Sequence, residues 1–218
     1  MIAKVNGLEI FYEQRGSGRP LLLLHGNGED HTIFDRSVEL LKERFCCYAL
    51  DTRGHGQSPF AGELHYADMA EDLLAFLEAL ELRDALVCGF SDGGIVALLA
   101  AMETDRITGL VPCGANLRPD GVKPWLRLTV GAMWAFTRDP KLALMLREPN
   151  IEPAALGAIR AKTLVLAGSR DLILPAETER IAAAIPGALL KYQHGEGHGS
   201  YIVHSDKLAR ILLDAFPA

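Results

Sequence analysis

Unbroken apolar runs and short polar turns alternate along most of the chain. PLLLLH (20–25), CCYALD (46–51), DALVCGF (84–90), ITGLVPCG (107–114) and AKTLVLAG (161–168) are each a brief stretch of near-continuous hydrophobicity. Runs of that length, apolar on both faces, belong to strands buried on both sides of a parallel sheet. LEIFYEQRG (8–16) instead alternates like a half-exposed strand, and ALLKYQH (188–194) is a shorter, weaker one. Between them, residues 66–80, 92–103, 176–185 and 200–215 space their apolar side chains at helical intervals. Strand–helix alternation with glycine-containing turns predicts an α/β fold, a mostly parallel central sheet flanked by helices.

Residues 116–158 interrupt this rhythm. They carry Pro119, Pro124, Pro140, Pro149 and Pro153, the helix-like pieces WLRLTVGAMWAF and PKLALML, and both tryptophans, Trp125 and Trp134. The interval is either a connecting helical region packed on the sheet or a short helical cap over a pocket. Long insertions in compact domains are usually functional or disordered. This one is too apolar for disorder, which favours the cap. The flanking parts, 1–115 and 159–218, then make one core domain. A chain of 218 residues that is 49% hydrophobic is long enough for one well-buried core.

A net charge of −6, with basic residues scattered along the sequence, argues against nucleic acid or an anionic membrane surface as the main partner. The opening MIAKVNGLEIFYEQRG has no continuous apolar core, so no signal peptide is expected. No apolar run approaches the ~18–20 residues that span a bilayer. Cys46, Cys47, Cys88 and Cys113 show no C-x-x-C spacing and sit in strand-like runs, where cysteine acts as a small buried hydrophobe. A reduced, cytoplasmic protein without metal or organic cofactor is the simplest expectation.

Chemistry enters at VCGFSDGGIV (87–96). Gly89-Phe90-Ser91-Asp92-Gly93 is a G-x-S-x-G between a strand pattern and a helix pattern, the context that makes it a nucleophile elbow rather than a chance match. The turn must be so sharp that side chains two residues either side of the serine would collide. It lifts the hydroxyl to the carboxyl edge of the sheet and onto a helix N-terminus, which favours developing negative charge. A serine in a merely structural turn is the alternative.

A serine needs a base and an acid. Asp171 follows the strand TLVLAG and precedes a helix; His198 lies in HGEGHGSY, between the last strand and the last helix. His194 is expected to close that strand and His204 to lie inside the terminal helix, while Asp139 and Asp206 follow no strand. Ser91, Asp171 and His198 therefore all occupy loops on one sheet edge, as a catalytic triad requires. For the oxyanion, the natural donors are the backbone N–H of Asp92 and that of Asn27, in the loop His25-Gly26-Asn27-Gly28. His25 itself reads as the brace of that loop rather than a second base.

HGNG (25–28), DTRGHGQS (51–58), GFSDGG (89–94), GSRDLILP (168–175) and GEGHG (195–199) together resemble the α/β-hydrolase fold family from end to end. The resemblance implies the triad and oxyanion positions just named, and a structural role for Asp51, Arg53 and the Gly54–Gly56 turn. SDGG, the following IVALLAA, and CGANLRPDG (113–121) resemble more narrowly the biphenyl hydrolase-like branch, which includes valacyclovir hydrolases. That implies an Asp92 carboxylate binding a substrate ammonium, as in α-amino acid esters; capping of the first helical turn is the other role open to it. The cap departs from the common pattern by being short. Trp125, Met133, Trp134, Phe136 and Met145 are its available apolar contacts for substrate, unless they serve packing. The expectation is a serine esterase acting on a small or medium ester through an acyl-enzyme, as monomer or homodimer. Carbon–carbon bond hydrolysis, lactone opening and perhydrolysis on the same triad are alternatives, as is a receptor or signalling role with little turnover.

Overall fold

Eight strands line up in the order β1-β2-β4-β3-β5-β6-β7-β8 in the computed structural model, which describes residues 1–217. They are β1 (Ile2–Val5), β2 (Leu8–Arg15), β3 (Arg19–Leu24), β4 (Phe45–Leu50), β5 (Ala85–Phe90), β6 (Ile107–Cys113), β7 (Lys162–Gly168) and β8 (Leu189–Gln193). From β4 to β8 every pairing is parallel; β1 and β2 join antiparallel at one edge. Seven helices accompany them: α1 (Asp35–Leu41), α2 (Tyr66–Ala79), α3 (Asp92–Glu103), α4 (Pro124–Thr137), α5 (Pro140–Arg147), α6 (Pro175–Ala184) and α7 (Lys207–Ala215).

The unbroken apolar runs are explained by two cores, one on each face. In β3, Leu22 and Leu24 pack with Leu73 and Phe76 of α2 and with α3, while Leu21 and Leu23 pack with Leu41 of α1 and Leu208 and Leu212 of α7. Successive strand side chains point to opposite faces, so a strand covered on both sides has no polar position. All four cysteines are free and buried in β4, β5 and β6. Burial, with Cys46 alongside, pushes the Cys47 thiol up to about 12. No described helix is long and apolar enough to cross a membrane.

Three elements differ from the sequence reading. Strand β1 was not anticipated, although Asn6-Gly7 carries its signal: both residues have positive φ (51° and 76°) and close a two-residue hairpin onto β2. Helix α1 escaped because seven residues offer too few turns for a clear period. The terminal helix begins at Lys207, not 200. Residues 201–204 form turns that bury Tyr201 and Ile202, and His204, expected inside the helix, is exposed at φ 48° with its Nδ1 3.0 Å from Asp35.

DTRGHGQS is held by two buried charges. Asp51 accepts from the backbone N–H of His31 (2.7 Å) and Gln57 (2.8 Å), and a Cβ on Gly56 (φ 49°) would collide with its carboxylate. Arg53 donates to both oxygens of Asp72 (2.6 and 2.8 Å) and to Asp68 (2.9 Å). Removing one partner of a buried pair leaves an uncompensated charge. Arg53→Met is therefore expected to destabilise the fold by roughly 3 kcal/mol in urea titration. Asp72→Leu added to it should restore much of the loss.

Residues 116–158 hold α4 and α5, packed on each other, and are tied to the core at several points. The Lys123 N–H donates to Leu172 O (2.9 Å) and the Leu174 N–H to Gly121 O (2.8 Å). Glu148 accepts from the Tyr66 N–H (3.1 Å) and lies 2.6 Å from His65 Nδ1.

Candidate active site

Three loops at the carboxyl ends of β5, β7 and β8 meet in front of the sheet. After β5, Ser91 adopts φ 52°, ψ −114°, a conformation side chains rarely take. Its neighbours must be bare: a Cβ on Gly89 would collide with the Gly93 carbonyl, and one on Gly93 with the carbonyls of Leu24 and His25. The Ser91 N–H is anchored on Cys113 O at 2.8 Å. Strain of about 1–3 kcal/mol at such a residue persists only where the surroundings over-determine it.

His198 Nε2 lies 3.1 Å from Ser91 Oγ, and its Nδ1 2.5 Å from Asp171 Oδ1. A buried carboxylate accepts only, so Nδ1 carries the proton and Nε2 is free to accept from the hydroxyl. Asp171 is fixed by the N–H groups of Gly168 and Ile173, each at 3.0 Å. Burial pushes its carboxyl up, but the hydrogen bond and charge of His198 and the two backbone donors outweigh it, leaving it below the usual range. The His198 ring packs on Phe90, centroids 4.9 Å apart.

The loop after β3 completes the surroundings. Among the described residues, neither the Asn27 nor the Asp92 backbone N–H donates to a protein acceptor. The Asn27 amide donates to Asp92 Oδ2 (2.8 Å) and to Lys141 O at the start of α5 (3.1 Å). His25 is buried, with Nδ1 2.7 Å from Gly26 O and Nε2 accepting from the Thr52 N–H at 3.0 Å. Burial lowers its pKa. It braces the loop and faces no reacting group.

Ser91 and His198 open into a cavity of about 310 Å³. Its apolar wall comes from Leu126 of α4, Leu142 and Met145 of α5, and Val122, Leu172 and Ile173. Its polar side holds Asn27 and three carboxylates, Glu29, Asp92 and Glu148, and no lysine or arginine. Burial raises the pKa of Asp92, with the Asn27 amide and the Tyr66 hydroxyl opposing it. Burial likewise raises that of Glu29, against the Gly26 N–H.

Trp125 and Trp134 do not line this cavity, which corrects the expectation that they contact substrate. Trp125 points outward. Trp134 faces a separate recess beside His65 and stacks under Arg138 and Arg147 (4.5 and 5.9 Å). Leu126, one residue along the helix from Trp125, turns inward instead. Of the five apolar residues of 116–158 expected to be available to substrate, only Met145 reaches the cavity. Glu29 and Glu148 were missed. Glu29 could have been found as the first acid after HGNG, whereas nothing in the sequence marks Glu148. Asp30, His31 and Asp51 lie close enough together to hold a metal ion, but none of them lines the cavity.

Residues 19–139 match the family model described as alpha/beta hydrolase fold. The chain is 36% identical to a non-heme haloperoxidase of Rhodococcus erythropolis, over 95% of this chain and 96% of that protein. Their aligned stretch of 262 positions exceeds this chain's 218 residues, so that relative carries insertions absent here. It is 27% identical to the serine hydrolase BPHL of Mus musculus, over 96% of this chain and 84% of that one. A bromoperoxidase structure from Bacillus anthracis superposes with a TM-score of 0.86 at 23% identity, covering 100% and 99% of the two chains.

Proposed function

The chain belongs to the α/β hydrolase fold family, and from that premise we propose that this hydrolase is a serine esterase working through an acyl-enzyme. One observation carries the reading: the hydrogen-bonded series Ser91–His198–Asp171 ends in a cavity beside two unpaired backbone N–H groups.

His198 Nε2 takes the proton of Ser91 as Oγ attacks the ester carbonyl. The N–H groups of Asn27 and Asp92 receive the negative charge on the carbonyl oxygen, each donor contributing about 2.7–4 kcal/mol to the transition state. His198 then protonates the departing alcohol. A water activated by the same nitrogen releases the acid, and Asp171 keeps the tautomer and stabilises the imidazolium. Residues 116–158 act as the cap, with Leu126, Leu142 and Met145 against the apolar part of the substrate.

Asp92 follows the nucleophile, and three carboxylates without a lysine or arginine line the cavity. This favours a cationic substrate portion, an α-ammonium. A charge-assisted hydrogen bond of about 1.5–3 kcal/mol corresponds to a preference of roughly 10–100-fold. An α-aminoacyl ester is expected to exceed its N-acetylated form in kcat/KM by that factor, and Asp92→Asn to erase the difference. Equal values in the unmutated enzyme would remove the ammonium site while leaving the esterase intact.

A panel of p-nitrophenyl esters tests the main reading. Steady turnover is expected; a stoichiometric burst without turnover would overturn it in favour of a receptor. The haloperoxidase relative favours a second reading, in which hydrogen peroxide replaces water at the acyl-enzyme. Peracid formed from acetate and peroxide at a rate above that of ester hydrolysis would make it the better one.

A further inference from the structure

Glu29 is a carboxylate where a neutral cavity wall would cost less. It lines the Ser91 cavity half-buried, faces no lysine or arginine there, and burial raises its pKa. Burying a carboxylate without a cation is unfavourable unless hydrogen bonds compensate. One such bond is present: Glu29 Oε2 accepts from the Gly26 N–H at 2.9 Å. Gly26 is buried, and its N–H has no other acceptor among the described residues.

Glu29 grips the same glycine a second time. Its own N–H donates to Gly26 O at 3.3 Å. Main chain and side chain thus both return to the residue three positions earlier, as the acid of a capping box does. Gly28, at φ 72°, lets the chain turn back in between. Gly26 O belongs to the peptide group that carries the Asn27 N–H, and His25 Nδ1–H donates to that oxygen as well, at 2.7 Å. In a trans peptide the C=O and the N–H point in opposite directions. Holding Gly26 O between the His25 ring and the Glu29 N–H therefore fixes where the Asn27 N–H points.

The carboxylate stops the preceding peptide group from turning. A Cβ on Gly26 would meet Glu29 Oε2 at 2.8 Å and Ser91 Cβ at 3.2 Å, so the acid and the nucleophile flank one bare glycine. The Asn27 amide, bonded to Asp92 Oδ2 and Lys141 O, anchors its own side chain only. We infer that Glu29 is a positioning residue for acyl transfer, its carboxylate clamping the loop that presents the Asn27 N–H to the oxyanion. This rests on the acyl-enzyme reading.

Steady-state hydrolysis of p-nitrophenyl acetate, a neutral ester, by Glu29→Leu and Glu29→Gln tests it. Both replacements are uncharged, and only glutamine offers an acceptor to the Gly26 N–H. Glu29→Leu is expected to lower kcat and kcat/KM alike by about 10–100-fold, less than the full loss of an oxyanion donor. Glu29→Ala, which lacks the acceptor and cannot crowd the cavity, should match it, and Glu29→Gln should recover most of the loss. Phosphonylation of Ser91 by a fluorophosphonate should slow in the same order. A merely structural role would lower the melting temperature and leave both rates intact below it. Full turnover in the leucine and alanine variants, a loss confined to KM, or equal losses with leucine and glutamine would overturn the proposal, the last by assigning the effect to charge. Absence of turnover in the unmutated protein would instead remove the esterase reading, and this proposal with it.

Discussion

Replacing Ser91 with alanine is expected to lower kcat for ester hydrolysis by about 10⁴–10⁶-fold without unfolding the protein. The side chain contributes one hydrogen bond, the 3.1 Å contact to His198 Nε2, so little packing is lost with it. The backbone strain at φ 52° remains, because alanine tolerates that region no better than serine. Glycine at the same position should remove activity equally and raise stability by about 1 kcal/mol, since it adopts positive φ without cost. That opposite movement of activity and stability is the signature of a strained catalytic residue. A serine placed for structure alone would lose stability in both variants and leave turnover unchanged.

Asp171→Asn is expected to reduce kcat by roughly 10³–10⁴-fold and to destabilise the fold by about 1–3 kcal/mol. In the native site one carboxylate oxygen accepts from the Ile173 N–H and faces His198 Nδ1, and the other accepts from the Gly168 N–H. An amide has one acceptor oxygen. Whichever way it is turned, its NH₂ meets a backbone N–H, and the charge that stabilises the imidazolium is gone. If the amide donates to Nδ1, the proton moves to Nε2 and the base is lost outright. Single-turnover ester hydrolysis and thermal unfolding of the variant measure the two losses. Full activity with the same unfolding temperature would remove Asp171 from the mechanism.

The convergence of Ser91, Asp171 and His198 was legible because each position depends on local rules that survive folding. A glycine-caged serine after a buried run, an aspartate after the next such run but one, and a histidine in a glycine-rich loop must all emerge at the carboxyl edge if the strands are parallel. The cavity wall was not legible for a physical reason as well. Helix α4 is apolar on nearly every side, so its period cannot say which face turns inward. Residue size misled: Leu126 lines the cavity while Trp125 and Trp134 face elsewhere. The terminal helix is shorter than the apolar spacing from residue 200 suggests, because Tyr201 and Ile202 are buried within turns.

The most direct test of the acyl-enzyme mechanism is covalent trapping. The protein is incubated with a fluorophosphonate, and its tryptic peptides are mapped by mass spectrometry. The account predicts one phosphonyl adduct, on Ser91, formed in step with loss of ester turnover and absent when His198 is replaced by alanine. Complete loss of turnover with Ser91 unmodified, or modification of Ser91 with turnover intact, would contradict it.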